Sequence, residues 1–236
     1  MPEPLSADFA GGQTLLFDKP SGWTSFDVVN KVRRLTRHKK VGHAGTLDPL
    51  ATGLLILCTG KHTKRIEEIQ AGEKEYELVF KLGAVTASYD AEFPETQICD
   101  ASGVTQAAIE ALLPQFTGEI QQVPPAFSAV KVGGKRAYAA ARTGKPLELK
   151  ARTVQVYAFG LLDRELPPAH AAARVRCSKG TYIRSLVHDL GQALGTGAYL
   201  TELRRTAIGP WRVEDAWSLD RFEAALRALQ AGDPAA

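Results

Sequence analysis

The sequence predicts a mixed α/β fold, and three observations support this prediction. Stretches that alternate like β-strands are interleaved with amphipathic helical stretches along the whole chain. Strands stand before and after most helices, but without the regular strand–helix–strand alternation of a parallel sheet. The chain of 236 residues, 44% of them hydrophobic, can bury a core without a metal or disulfide. We therefore expect one domain over residues 14–236, preceded by an N-terminal tail over residues 1–13.

The first half of the chain contains the predicted strands with the clearest boundaries. A strand over residues 14–18 ends in a Pro-Ser-Gly turn, and Thr24 and Asp27 then have the capping-box spacing that opens a helix. Val28, Val29, Val32 and Leu35 supply the buried stripe of that helix. The pattern next predicts a buried strand over residues 54–59, a helix over 61–70 and a strand over 74–82.

The second half combines regular elements with one long irregular excursion. A helix over residues 105–116 is followed by Val123-Pro124-Pro125, which interrupts regular structure. Within the excursion, Gly133-Gly134 indicates a hairpin tip, and residues 137–142 a short helix. The remaining predicted elements are strands over 152–162 and 171–177, a helix over 181–194, a strand around 199–208 and a helix over 218–229.

The net charge of +3 is small, but the positive charges are concentrated in two separate regions. This distribution matters more for the choice of binding partner than the net charge does. The N-terminal basic cluster consists of Lys31, Arg33, Arg34, Arg37, Lys39 and Lys40. Because these residues fall largely off the buried stripe, we expect the helix and the loop after it to present them outward. The basic arm, residues 124–152, carries Lys131, Lys135, Arg136, Arg142, Lys145, Lys150 and Arg152. Either region alone is usually a solvated surface, but two such regions flanking a candidate site favour a polyanion such as RNA.

The cysteines and the hydropathy pattern exclude several classes of protein. Cys58, Cys99 and Cys177 are scattered without a CxxC pair, which indicates buried or partly buried reduced thiols rather than a metal site or disulfide framework. The N-terminus has no apolar signal core, and the longest aliphatic run, residues 54–57, is too short to span a bilayer. We expect a cytoplasmic protein with no membrane association.

Asp48 stands in the most informative stretch, GHAGTLDPLATG over residues 42–53. Glycines and Pro49 shape this segment into an ordered loop that can hold a carboxylate in one orientation. An Asp-Pro pair also commonly opens a turn, so this pattern alone leaves a structural and a chemical role for Asp48 equally open. The segment lacks the GxxxxGK[ST] order of a phosphate loop, and the chain shows neither a GxSxG nor an HExxH motif.

Five segments, which span most of residues 14–208, read DKPSGWTS, GHAGTLDPLATG, KEY, PPAFSAVK and CSKGTYIRSL. Together, in this order and at similar spacing, they resemble the TruB family of tRNA pseudouridine synthases. The resemblance implies the pseudouridine synthase fold, with a central, mostly antiparallel sheet, flanking helices, an active-site cleft and a thumb formed by the basic arm. It implies isomerisation of uridine 55 in the T loop of tRNA to pseudouridine, without a cofactor or metal.

The resemblance also assigns roles to individual residues. Asp48 matches the catalytic aspartate, and Arg184 would pair with it and keep it ionised. Tyr76 matches the tyrosine that stacks on the target uracil, whereas Tyr182 and Leu203 match residues that contact the base or wall the pocket. His43 would occupy the space left in the T loop by the flipped-out nucleotide. Lys19 and Pro20 resemble scaffold residues of the active-site loop.

Two departures from the family pattern qualify this picture. Ala87-Ser88-Tyr89-Asp90 replaces the more usual TDTxD run, which puts a polar role for that turn in doubt. Longer family members add a C-terminal RNA-binding domain of the PUA type, and we expect no full one after Ser218. We expect a monomer that binds the T arm of tRNA and needs no obligate protein partner.

Two alternatives remain open from sequence. One is an RNA-binding or tRNA-folding protein in which catalysis is secondary. The other is a guide-RNA-directed synthase subunit that acts on ribosomal RNA, although such relatives depend on protein partners and carry the PUA domain.

Overall fold

The structure, a computed structural model, describes residues 5–231, which fall into two compact units. The first unit contains Met1–Tyr76 and Leu203–Ala236, and the second contains Glu77–Glu202. The ends of the predicted tail and domain, residues 1–4 and 232–236, lie outside the described residues.

Residues 5–231 combine strands and helices in the mixed order that the sequence predicts, and the α/β class is confirmed. The elements are β1 (Thr14–Lys19), α1 (Ser25–Thr36), β2 (Val41–His43), β3 (Thr52–Thr59), α2 (Ile66–Ala71), β4 (Lys74–Leu82), α3 (Gln106–Leu112), β5 (Gly118–Gln122), β6 (Lys131–Val132), β7 (Lys135–Arg136), α4 (Ala137–Arg142), β8 (Arg152–Leu162), β9 (His170–Cys177), α5 (Ile183–Ala193), β10 (Ala198–Ile208), β11 (Trp211–Arg212) and α6 (Leu219–Ala231). Short 3₁₀ helices cover Gly60–Arg65, Leu113–Phe116 and Val213–Asp215.

In the first unit, β3 is the strand around which the others assemble. Both β1 and β2 pair with it antiparallel, while β10 pairs with it in parallel where Arg205 lies opposite Gly53. The core of this unit forms around β3 and consists of Ala44, Leu54, Ile56, Cys58, Ile69, Ile208, Val213 and Ala216. The burial of this strand explains its continuous apolar sequence.

Helix α1 begins as its sequence predicts. The Thr24 hydroxyl accepts a hydrogen bond from the Asp27 amide at 3.1 Å, and the Asp27 carboxylate accepts one from the Thr24 amide at 2.8 Å. This capping box fixes the direction in which the chain leaves β1 and enters the helix.

In the second unit, β8 pairs antiparallel with both β9 and β5. Helix α5 buries one face through Leu186, Val187 and Leu190. The basic arm contains the predicted hairpin, formed by β6 and β7, and the predicted short helix α4.

Several predicted boundaries were wrong for local reasons. The predicted helix over 61–70 is a 3₁₀ helix followed by α2, and the one over 105–116 is regular only to Leu112. Pro114 explains the second case, because proline lacks an N–H and clashes with the preceding helical turn. Strands β2, β5 and β11 were not predicted.

Residues 5–13, expected as a tail, pack on the first unit. Leu5 and Phe9 are buried, and the backbone of Gln13 exchanges two 2.9 Å hydrogen bonds with Thr59, one to its hydroxyl and one from its amide.

The structure tests the expectation that the three cysteines are buried or partly buried. Cys58 and Cys177 are buried as predicted, but the prediction was wrong for Cys99, which is exposed. Within residues 5–231, no helix combines the length and apolar character needed to cross a membrane.

Candidate active site

Asp48 lies in the loop that joins β2 to β3 in the first unit. The base of the loop is held by a hydrogen bond from the Ala44 amide to the Ile56 carbonyl, at 2.8 Å. Nearer the tip, the Ala51 amide donates to the carbonyl of Asp48 at 3.1 Å and closes a turn around Pro49. The loop is therefore an ordered structure, as the glycines and proline predict.

Both neighbours of Asp48 are fixed to the segment that leads from β1 into α1. The Ser25 hydroxyl accepts from the Leu47 amide at 2.8 Å and donates to the Leu47 carbonyl at 3.2 Å, in a buried position. On the other side, the Gly22 amide donates to the Pro49 carbonyl at 2.9 Å. Asp48, which is half-buried, is thus held by its backbone from both directions.

Lys19 supports the loop from beneath. Its side chain is fully buried, and Nζ donates to the carbonyls of Pro20 at 2.8 Å, Trp23 at 2.6 Å and Pro49 at 3.3 Å. Burial lowers the pKa of Lys19 to about 8, while the negative charge of nearby Asp48 acts in the opposite direction. Lys19 has the scaffold role that the sequence indicates, and its positive charge favours the ionised form of Asp48.

Arg205 of β10 is a second buried cation of the loop, and sequence reasoning missed it. Its guanidinium donates to the carbonyls of Leu54 at 2.8 Å, Gly45 at 3.1 Å and Thr46 at 3.4 Å. These bonds join the loop, β3 and β10 across 151 to 160 positions of sequence. The local sequence signal is weak, because its immediate neighbours Arg204 and Thr206 are polar and only the residues two positions away, Leu203 and Ala207, are apolar.

Gly53 allows β3 and β10 to approach closely at the base of the loop. Its φ is +95°, and an added Cβ would lie 2.3 Å from the carbonyl oxygen and 2.8 Å from the nitrogen of Arg205. Only glycine satisfies both the backbone conformation and the contact.

His43, Tyr76 and Leu203 belong to the same unit as Asp48. His43 ends β2 at the start of the loop, and burial, with a smaller contribution from Arg205, lowers the pKa of its imidazole below the usual value. This shift favours the neutral form of the ring. Tyr76 on β4 and Leu203 on β10 are both buried, at 9% and 8% exposure.

Tyr182 and Arg184 lie in the second unit, at the start of α5. Tyr182 is the N-cap residue, and its backbone exchanges two hydrogen bonds with the Gln122 amide group, at 2.8 and 3.0 Å. The guanidinium carbon of Arg152 lies 4.7 Å from the centre of its ring. The pairing of Arg184 with Asp48 that the resemblance implies joins residues of different units and stays a prediction.

Arg184 is only 5% exposed, so it is not the solvated helix arginine that its position on α5 alone would suggest. It donates to the Ser88 carbonyl at 2.9 Å and the Phe127 carbonyl at 3.0 Å, and its Nε lies 3.5 Å from Oδ2 of Asp90. The turn that departs from the family pattern therefore has a polar role, because it binds this guanidinium. Sequence reasoning missed Ser88 and Asp90 as its partners.

The two basic regions differ in how many of their charges remain available. In the N-terminal basic cluster, Lys31 forms an ion pair with Glu223, and Arg33 donates to the Val41 carbonyl at 2.7 Å. These two side chains are therefore used within the first unit, contrary to the expectation that the helix presents them outward. The basic arm keeps more exposed cations, namely Lys131, Lys135, Arg136, Lys145 and Lys150.

Two family models match consecutive parts of the chain. One, described as TruB family pseudouridylate synthase (N terminal domain), matches residues 33–183. The other, described as tRNA pseudouridylate synthase B C-terminal domain, matches residues 184–235.

Similar proteins carry related names. The tRNA pseudouridine synthase B of Phocaeicola vulgatus is 51% identical over 221 residues, which cover 91% of this chain and 93% of that protein. The protein of the same name from Chloroherpeton thalassium is 46% identical over 98% of both chains. Among solved structures, a chain of a Cbf5-Nop10-Gar1 complex matches with a TM-score of 0.74 and 30% identity, over 95% of this chain and 57% of that one.

Proposed function

The chain belongs to the TruB family of pseudouridine synthases, and we propose that it isomerises uridine 55 in the T loop of tRNA to pseudouridine. The observation that carries this proposal is the position of Asp48, a half-buried carboxylate held on a fixed loop above the buried ammonium group of Lys19. Such preorganisation suits a carboxylate that must be ionised and correctly placed when the nucleotide arrives.

The reaction is an isomerisation, so its atoms balance without a co-substrate. The C1′–N1 bond of the uridine breaks, the detached uracil rotates, a C1′–C5 bond forms, and the C5 proton is lost as N1 gains one. In our proposal Asp48 acts at the glycosidic carbon. Arg184 keeps the carboxylate charged and oriented, because an opposite charge nearby favours ionisation.

The remaining site residues hold the base and the opened loop. Tyr76 stacks on the target uracil, while Tyr182 and Leu203 wall the pocket. His43 fills the space vacated in the T loop, and its neutral imidazole suits this role because inserting it removes no charge from water. Flipping a base costs about a few kcal/mol of lost stacking, which an inserted ring offsets in part.

The basic arm supplies phosphate contacts along the T stem. Two of its exposed lysines, Lys131 and Lys135, lie on the β6–β7 hairpin, where they can reach a nucleic-acid backbone. Double-stranded RNA such as the T stem is recognised largely through shape and phosphate contacts, which this arrangement fits. We propose that a single copy of the chain acts on tRNA.

The similar proteins support the proposed activity on tRNA over the guide-RNA-directed alternative. The relatives named for tRNA are aligned over 93% and 98% of their length, whereas the chain covers 57% of the Cbf5 chain. The alternative of an RNA-binding or tRNA-folding protein differs from our proposal in one respect: in that alternative, catalysis is secondary to RNA binding.

Tritium release tests the proposal. A T-arm RNA labelled with tritium at C5 of its uridines should release tritium to water when incubated with the protein. Well-folded protein that binds the RNA but releases no tritium would refute the proposed reaction.

A further inference from the structure

The turn at residues 86–90 holds the guanidinium of Arg184 from two sides. The Ser88 carbonyl accepts from Nη1 at 2.9 Å, and the Asp90 carboxylate lies 3.5 Å from Nε. Tyr89 separates these two groups in sequence. Because Arg184 is almost fully buried, the direction of its guanidinium depends on the geometry of this turn.

Tyr89 has a backbone conformation that aromatic residues rarely adopt. Its φ is +64°, in the left-handed region. The turn around it is closed by a hydrogen bond from the Tyr89 amide to the Thr86 carbonyl at 3.2 Å and by one from the Thr86 hydroxyl to the Asp90 carbonyl at 2.6 Å. Such a conformation persists only where surrounding contacts hold it.

The ring of Tyr89 makes a contact that helps to hold this conformation, in addition to the hydrogen bond from the Leu200 amide to the Tyr89 carbonyl at 3.0 Å. It stacks on the imidazole of His188, with the ring centres 3.8 Å apart and the planes 10° from parallel. His188 stands four residues after Arg184 on α5, so the two side chains lie on the same face of the helix. Helix α5 therefore contacts the turn through two side chains: Arg184 binds the Ser88 carbonyl and the Asp90 carboxylate, and His188 stacks on Tyr89.

The imidazole of His188 contributes a flat ring here rather than a hydrogen bond from Nδ1. That nitrogen is buried and meets no hydrogen-bond partner among residues 5–231. The stack also occurs in the stretch where the sequence departs from the TruB pattern.

We infer that Tyr89 and His188 form a positioning pair, which fixes the 86–90 turn on α5 and thereby orients the guanidinium of Arg184. Neither ring is a catalytic residue in this account, since both act through Arg184. The inference rests on the proposed function, in which Arg184 acts in uridine isomerisation.

Substitutions can separate stacking from other roles of His188. His188→Ala removes the ring, whereas His188→Phe keeps a flat ring and removes both nitrogens. Tyr89→Gly removes the other ring while glycine tolerates the positive φ. Tyr157→Ala is the matched control, since it removes an exposed tyrosine of the same unit that is stacked on Arg176.

Three quantities should be measured for each variant: the single-turnover rate of pseudouridine formation, the Kd for tRNA, and hydrogen exchange of the backbone amide at position 89. Aromatic stacking of ordinary strength predicts a rate about three- to tenfold lower in His188→Ala and Tyr89→Gly, with Kd changed less than about twofold. The Tyr89 amide should exchange faster in His188→Ala, while His188→Phe and Tyr157→Ala should behave like the unaltered protein.

Two results would overturn the inference. One is a His188→Ala protein whose rate and amide exchange are unchanged; the other is a His188→Phe protein as impaired as His188→Ala. If the unaltered protein forms no pseudouridine at all, the proposed function fails, and amide exchange alone then decides whether the rings hold the turn.

Discussion

Replacing Gly53 with alanine should destabilise the first unit and displace the loop that carries Asp48. The new Cβ would lie 2.3 Å from the Arg205 carbonyl oxygen, a backbone atom that cannot move without shifting β10. A side chain at positive φ costs about 1–2 kcal/mol, and overpacking adds about 1–3 kcal/mol. The expected total loss of unfolding free energy is therefore about 2–5 kcal/mol.

Gly118 offers a matched control for this substitution. Its φ is +93°, close to the +95° of Gly53, but an added Cβ would meet nothing within 4 Å. Gly118→Ala should therefore lose only the conformational part, about 1–2 kcal/mol. The difference between the two variants isolates the close approach of β3 and β10.

Urea unfolding followed by circular dichroism measures both losses. With a slope of about 2 kcal/mol/M, the unfolding midpoint of Gly53→Ala should fall about 0.5–1.5 M below that of Gly118→Ala. The single-turnover rate of Gly53→Ala should also fall at least about tenfold, because misplacing a catalytic group by about 1 Å costs up to about a hundredfold. Equal midpoints for the two variants would refute the argument that this glycine is required by the contact.

Two further predictions concern charge. The pKa of Lys19 is lowered to about 8 in the folded chain, so between about pH 8 and pH 10.5 the unfolded chain binds more protons than the folded chain. The free energy of unfolding should therefore rise with pH across this range. Urea midpoints measured over the same range should show this rise for the unaltered protein but not for Lys19→Met. The Lys131→Ala/Lys135→Ala variant should bind tRNA more weakly in a filter-binding assay, and the magnitude of its slope of log K against log salt should be smaller by about 1–2. Its single-turnover rate at saturating protein should be unchanged. A salt slope equal to that of the unaltered protein would remove these two lysines from the RNA-binding surface.

Elements that begin or end at a local sequence signal, such as a capping box or a glycine turn, were predicted correctly. The capping box of Thr24 and Asp27 gave the start of α1, and Gly133-Gly134 gave the β6–β7 hairpin. Strands β2 and β5 were missed because neither has an apolar alternation of its own. Their partners, β3 and β8, lie elsewhere in the chain and supply the pairing that defines them.

The local structure of the candidate site was predictable where a motif shapes it and not where it depends on distant partners. The ordered loop around Asp48 was predictable from residues 42–53 alone, whereas the catalytic role of Asp48 came from the resemblance to the TruB family and stays a prediction. Arg205 was missed because its three carbonyl partners lie more than 150 positions away, and Asp90 because its role depends on the fold of the turn around it. Long-range hydrogen bonds to backbone carbonyls leave no pattern in the sequence.

Mapping pseudouridine in tRNA treated with unaltered and Asp48→Asn protein tests the central claim most directly. We expect pseudouridine at position 55 with the unaltered protein and none with Asp48→Asn, while the Kd for tRNA changes by less than about threefold because the substitution preserves shape. Formation of pseudouridine by Asp48→Asn at the unaltered rate, or a product at another position only, would contradict the account.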